Sequence, residues 1–203
     1  GAGDILGGDQ TGFINEIGFD AYQKIMAEAV KELKETEFKE LYKDAKNDTL
    51  LDFLDECQLD TDLELMIPDE YVNNIEERLR LYQDLDAVKN EEELKAYETA
   101  IQDRFGPIPN TVKELFTSVR LRWIGQQLGM EKLVLKMGKM IGYFIANQDS
   151  EFYQSEQFNA ILLYLRDNPR VAQMKQRNEK LTLVFEGVNK VDLAIEKLEG
   201  MVV

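Results

Sequence analysis

Histidine is absent from these 203 residues, and cysteine occurs once, at Cys57. The first absence excludes the usual zinc constellations and imidazole acid–base catalysis; the second excludes an internal disulfide. A lone thiol fits a reducing interior, so a cytoplasmic setting is expected. No apolar run approaches the ~20 residues that a bilayer span needs, which points to a soluble chain. The opening carries neither the positive start nor the apolar run of about 7–15 residues that a secretory leader requires. No Gly-x-x-x-x-Gly-Lys-Ser/Thr segment occurs, so there is no loop to cradle the phosphates of ATP. No catalytic, cofactor-binding or metal-binding residue is therefore expected.

What the chain has in excess is negative charge, −15 in all. From Asp44 to Asp103 there are 19 acidic and 5 basic side chains, so nearly the whole excess sits in sixty residues. Such a surface repels a phosphate backbone, because non-specific nucleic-acid affinity comes mostly from Lys and Arg neutralising phosphates. The chain alone is not expected to bind DNA. An acidic face suits a basic protein surface, where complementary potentials steer encounter and set register; it also serves solubility alone. Clustered carboxylates at Asp52, Asp55 and Glu56 have the chemistry of magnesium ligands, but adjacent acids on a charged linker are ordinarily just solvated.

Hydrophobic periodicity divides the chain into an N-terminal stretch (1–45), an acidic linker (46–60) and a C-terminal domain (61–203). Phe13 to Glu35 repeats apolar residues every three or four positions, among them Ile25, Met26 and Ala29, as an amphipathic helix does. Its stripe needs a partner surface. Thr61 to Ile67 alternates Leu63, Leu65 and Ile67 with polar neighbours and predicts a strand ended by Pro68. Two helices follow, Asn74 to Val88 and Asn90 to Phe105, the second with Asn90 and Glu93 spaced for a capping box. Gly106 to Asn110 breaks the chain, and Asn110 is placed to cap a long helix to about Leu128 that carries Val112, Leu115, Phe116, Val119, Leu121, Trp123 and Ile124.

Beyond it the pattern turns to strands. Lys132–Met137 and Lys139–Ile145 flank Gly138 as a hairpin, and Val171–Arg177 with Leu181–Glu186 form a second one around Asn178. A helix over 156–167 separates them, and a last helix over 191–198 has Asn189 as its expected cap. Helices first, then hairpins interleaved with helices and no regular βαβ alternation, give an α+β fold of helices packed on short antiparallel strands. The aromatics Tyr143, Phe144, Phe152 and Tyr153 are expected in the core rather than as a base-stacking platform, given the acidic surroundings.

Two segments carry a family resemblance. Gly1, Gly3, Leu6, Gly7, Gln10, Thr11 and Gly12 stand where RecG-like DNA helicases have the closing part of their translocation motif, Arg-Gly-x-Gly-x-x-Leu-Gly-x-x-Gln-Ser/Thr-Gly. A dinucleotide loop is the rival reading, but the glycine spacing differs and no strand precedes it. On this resemblance Gly7, Gln10 and Gly12 are a remnant of a motor whose lobes lie outside the chain. Further on, Ile67-Pro-Asp-Glu-Tyr-Val72, Arg78-Leu-Arg-Leu-Tyr82, Asp103-Arg-Phe-Gly-Pro-Ile-Pro109, Arg120-Leu-Arg122 and Leu128-Gly-Met-Glu-Lys-Leu133 together resemble the C-terminal domain of the bacterial transcription-repair coupling factors (Mfd).

The resemblance implies a regulatory, non-enzymatic part of an ATP-dependent DNA translocase acting in nucleotide excision repair. ATP and Mg²⁺ would serve the parent's motor, and the parent would bind UvrA, RNA polymerase and double-stranded DNA. The domain itself would dock on the N-terminal UvrB-like module of the same protein and cover the surface that UvrA uses. An effector role, contacting RNA polymerase or DNA during polymerase displacement, is the alternative. Asp103 is the family position for the docking contact, with Glu98 and Glu92 in the same acidic stretch; relatives can carry a glutamate where this chain has Ala100. The plain alternative is that Asp103 only ends a helix before Gly106, with Arg104 and Phe105 a paired arginine and a buried aromatic.

Overall fold

The computed structural model describes residues 18, 19, 22, 23, 25, 26, 29, 54, 56–177 and 180–203. The translocation-motif residues Gly7, Gln10 and Gly12, the linker acids Asp52 and Asp55, and the turn at Asn178 lie outside the described residues. The chain divides into two compact units, one of residues 1–44 with 64–115, the other of residues 45–63 with 116–203.

The first unit is helical. Helix α1 (Ile75–Ala87) starts where Asn74 accepts a 3.0 Å bond from the Glu77 amide, and buries Arg78, Leu81, Tyr82 and Leu85 at the three-and-four spacing of one helical face. Arg78 is buried because its guanidinium donates to the Val72 carbonyl at 2.7 Å. Helix α2 (Glu91–Phe105) begins with the expected pairing of Asn90 and Glu93. The Glu93 amide donates to Asn90 Oδ1 at 2.9 Å, while the Glu93 carboxylate accepts from the Lys89 amide and from Asn90 Nδ2, both at 2.8 Å. The hydroxyl of Tyr97 on α2 donates to the Leu81 carbonyl of α1 at 2.6 Å.

The strand expected over 61–67 is not formed there. The alternation survives as burial, with Leu65 and Ile67 inside, but the backbone bonds go elsewhere. Leu65 O accepts from the Phe19 amide at 3.2 Å, and the Ile67 amide donates to the Tyr82 hydroxyl at 2.9 Å. A period of two records which side chains are buried; a strand also needs a neighbouring ladder. In the expected N-terminal helix, Phe19 and Tyr22 are helical and buried, their rings 5.6 and 5.9 Å from Tyr82, whereas Ile25 and Met26 are exposed.

The second unit holds a five-stranded mixed sheet. Strands β1 (Gln58–Thr61), β2 (Met130–Lys136), β3 (Lys139–Phe144), β4 (Gln173–Arg177) and β5 (Lys180–Glu186) lie in the order β1-β2-β3-β5-β4; β1 runs parallel to β2 and the other pairs are antiparallel. The β2–β3 hairpin turns on Met137 and Gly138, both at positive φ, as a two-residue primed turn requires. Helix α4 (Glu156–Asp167) and helix α5 (Val191–Glu199) complete the α+β architecture. Ser155 caps α4, its hydroxyl accepting from the Phe158 amide at 3.2 Å. The cap position of α5 is Lys190, without a side-chain bond, rather than Asn189.

Helix α3 (Asn110–Gln127) crosses the boundary between the units, which falls between Leu115 and Phe116. Asn110 lies in its first turn instead of capping it, since the Lys113 amide already donates to the Pro109 carbonyl. Val112, Leu115, Phe116, Val119 and Leu121 are buried as expected; Trp123 and Ile124 are only half-buried. In the second unit Phe144 and Phe152 are core residues, with Tyr153 and Phe158 set edge-on around Phe152. Tyr143 departs from the expected cluster. Strand alternation turns it to the opposite face of the sheet from Phe144.

Candidate functional site

Helix α2 gathers the acids singled out in the sequence, and helical geometry sorts them. At 100° per residue, Glu92, Ala96, Thr99 and Asp103 fall within one narrow stripe about 16 Å long. All four are exposed, while Leu94 and Ile101 point the other way and are buried. Glu92 and Asp103 are thus brought onto one face, three turns apart. Glu98 is not: it sits on the flank, half-buried, and has an interaction of its own.

Between the two acids the surface is low. Ala96 and Ala100 have no reach, and the Thr99 hydroxyl folds back to donate to the Lys95 carbonyl at 2.9 Å. Lys95, largely exposed, lies 3.9 Å from Glu91 across one turn. The result is a shallow strip of small side chains with a carboxylate at each end.

The two ends differ electrostatically. Glu91, Glu92 and Glu93 occupy the first turn, where the positive end of the helix dipole favours carboxylates. Asp103 lies in the last turn, at the negative end, and makes no hydrogen bond or ion pair among the described residues. It does not terminate the helix either. That role belongs to Gly106, whose φ of 86° leaves helical space and whose amide donates to the Gln102 carbonyl at 2.9 Å.

Asp103 is held by neighbours that are themselves fixed. The Arg104 guanidinium pairs with Glu77 on α1 at 2.6 Å and lies 5.0 Å from the Phe105 ring centre. Phe105 packs on Tyr71 at 5.9 Å, and the Tyr71 hydroxyl donates to the Gly106 carbonyl at 2.9 Å. Arg104 and Phe105 accordingly have the structural roles of a paired arginine and a packed aromatic. Sequence reasoning missed Tyr71 and Glu77 as the supports of this turn; the only signal was Tyr71's place in the Ile67–Val72 segment. That segment and the Arg78–Tyr82 segment are mostly structural, since Ile67, Val72, Arg78, Leu81 and Tyr82 are all buried.

Residues 61–155, spanning both helices of this site and the first hairpin, match the protein family described as the TRCF domain. The matched segment belongs to the TRCF-domain family. The chain's similarity to transcription-repair-coupling factors runs beyond that segment: 28% identity over 209 aligned positions with the protein of Staphylococcus haemolyticus, covering 100% of this chain and 16% of that one. With the protein of Escherichia coli K12 it is 32% identical over 135 residues, 66% of this chain and 11% of the relative. The chain therefore spans only a tenth to a fifth of the length of such relatives. Its fold resembles the crystal structure of the C-terminal domain of a transcription-repair coupling factor, with a TM-score of 0.57 and 19% identity over 72% of this chain and 87% of that one.

Among the described residues of this TRCF domain, no group of three or more His, Cys, Asp or Glu is placed to hold a metal ion. No described helix is long and apolar enough to cross a membrane. What the α2 stripe offers is an exposed strip of small side chains with a carboxylate at each end.

Proposed function

We propose that this chain is the C-terminal regulatory domain of an ATP-dependent DNA translocase that couples transcription to nucleotide excision repair, and that it restrains its parent by docking on an N-terminal UvrB-like module. The docking face is the α2 stripe. Its contact would mask the surface through which UvrA binds, and ATP and Mg²⁺ would act in motor lobes outside these 203 residues. The observation that carries this reading is Asp103: an exposed carboxylate, unpartnered among the described residues, at the negative end of its helix and in line with Glu92. Such an acid gains a counter-ion only from another surface, and an arginine gives the bidentate fit a carboxylate prefers. The small side chains at Ala96, Thr99 and Ala100 let that surface approach closely.

The decisive experiment uses the whole parent protein. Removal of this domain is expected to raise UvrA binding, and Asp103→Arg with Glu92→Arg should do the same without removing the fold. Reversal of a desolvated interfacial charge costs about 2–5 kcal/mol of docking, a rim charge under about 1. Unchanged UvrA affinity in both the deletion and the double variant would sink the clamp. Retarded migration of double-stranded DNA by the isolated chain at low salt would instead favour the effector role.

A further inference from the structure

The segment that follows the translocation-motif resemblance is fastened to α1 within the first unit. Gly18 stands six residues beyond Gly12, and its carbonyl accepts from the Tyr22 amide at 3.0 Å, which opens the N-terminal helix. Phe19 is the first described helical residue, and its amide has no acceptor within its own helix, as the opening amides of any helix do not. The Leu65 carbonyl accepts it at 3.2 Å.

Side chains complete the contact. Phe19 and Tyr22 are buried, their rings stacked at 6.2 Å and each set against Tyr82 of α1. Tyr82 is a fixed seat, since it is buried and its hydroxyl accepts from the Ile67 amide. One turn along α1, Asp86 accepts a 2.9 Å bond from the Gln23 side-chain amide. Residues four apart on a helix share a face, so Tyr82 and Asp86 form one landing strip. The same helix holds α2 through the Leu81 carbonyl, which accepts from Tyr97, and through Glu77, which pairs with Arg104.

The apolar stripe of the N-terminal helix runs on past this contact. Phe19, Tyr22, Met26 and Ala29 fall within an arc of about 80° at 100° per residue. Met26 and Ala29 are nevertheless exposed, as is Ile25 beside them. Among the described residues the buried side chains of this helix are thus those of its first turn alone. So small a contact can open as a local event, without unfolding α1, which keeps Arg78, Leu81 and Leu85 buried on its own account.

We propose that the contact of Phe19, Tyr22 and Gln23 with Tyr82 and Asp86 is a clasp that reports the state of the motor to the regulatory domain, closed at rest and drawn open when the translocation motif moves. This rests on the reading of the parent as an ATP-driven translocase. Six residues reach at most about 22 Å, so the chain between Gly12 and Gly18 gives the motif little slack before it pulls on Phe19. The clasp then lets go first. What is released is the face of α1 that carries Tyr82, while the bonds from α1 to α2 stay in place.

The test introduces Gln23→Cys and Asp86→Cys, which the closed clasp brings together, into the isolated chain and into the whole parent. A short bismaleimide bridges the pair, and the bridged peptide is measured by mass spectrometry; buried Cys57 does not compete. In the isolated chain bridging should be at least about fivefold faster than when Phe19→Ala is added. If Phe19→Ala fails to fold, Ile25→Cys in place of Gln23→Cys supplies the baseline, because it leaves the helix about 200° away. In the parent, bridging should fall at least about fivefold when a non-hydrolysable ATP analogue and double-stranded DNA are present together. Bridging of the isolated chain at the baseline rate would overturn the clasp itself. Equal bridging in every state of a parent that hydrolyses ATP on DNA would overturn the coupling and leave the translocase reading standing. A parent without DNA-stimulated ATP hydrolysis would remove that reading and the coupling with it. UvrA takes no part, so failure of the masking role leaves the result readable.

Discussion

The hydroxyl of Tyr71 donates a 2.9 Å hydrogen bond to the carbonyl oxygen of Gly106, thirty-five residues away. Together with the Tyr71–Phe105 ring contact, this bond pins the end of α2 to the loop before α1 and fixes where Asp103 points. Tyr71→Phe keeps the ring and removes only the bond. The expected loss is about 0.5–1.5 kcal/mol in urea unfolding, because the Gly106 carbonyl is half-exposed and regains water. If docking to the UvrB-like module runs through Asp103, the same variant should also weaken docking although Tyr71 lies outside the stripe. Unaltered stability would remove Tyr71 from any supporting role.

Asp103→Ala should behave in the opposite sense in the isolated chain. The carboxylate faces the negative end of its helix with no partner among the described residues, so removing it should leave stability unchanged or raise it by about 0.3–1 kcal/mol. Alanine is also the better helix former. A contact residue that lowers the stability of its own domain is recognisable by this split between folding and docking. Destabilisation beyond about 1 kcal/mol would mean that Asp103 holds the fold and is not kept for a partner.

Much of this was legible in the sequence, for reasons that are local. The Asn90–Glu93 spacing found its capping box, the residues around Gly138 found their hairpin, and the helix over 156–167 found both of its ends, because each signal is satisfied within a few residues. The errors arose where satisfaction is distant. Leu65 and Ile67 look like a strand and bond to Phe19 and Tyr82; Tyr143 looks like its neighbour Phe144 and faces the other way. Asp103 follows from the family resemblance and Glu92 from the acidic stretch, while Glu98 separates from them only through the burial of α2, which fixes the face that points outward. The supports of the site, Tyr71 and Glu77, are reached by tertiary contacts that no spacing in the chain encodes.

Stability should fall in mild alkali. Burial pushes the Cys57 thiol from an ordinary 9.0 up to about 12, outweighing the nearby Arg122 guanidinium that lowers it. Below pH 9 the thiol is protonated whether the chain is folded or not, and its contribution is fully present. As pH rises toward 12 the unfolded chain gives up the proton while the folded chain keeps it, so stability declines by about 1.4 kcal/mol per pH unit. Burial also raises Tyr71, Tyr97 and Tyr153, which steepen the decline above pH 10. Cys57→Ala should flatten the slope between pH 9 and pH 10 whatever its effect on absolute stability; chemical unfolding at a series of pH values reads it directly. An unchanged slope would show that the thiol does not titrate in that window.

Two glycines at nearly the same backbone angle should respond very differently to alanine. Gly129 has φ 68° and Gly138 φ 72°, so both substitutions carry the strain of left-handed backbone, about 1–2 kcal/mol. At Gly138 nothing lies within 4 Å of the added carbon, and strain should be the whole cost. At Gly129 the added carbon would sit 2.3 Å from the Phe152 ring, which is itself fully buried and packed against Phe144, Tyr153 and Phe158. The ring cannot withdraw without disturbing that cluster, so Gly129→Ala should cost at least about 3 kcal/mol and lower the yield of folded protein. Thermal unfolding of the pair separates the two terms, since the shared backbone penalty cancels and the difference reports the packing around Phe152 alone. Equal losses would place Phe152 in a more yielding environment than its contacts indicate.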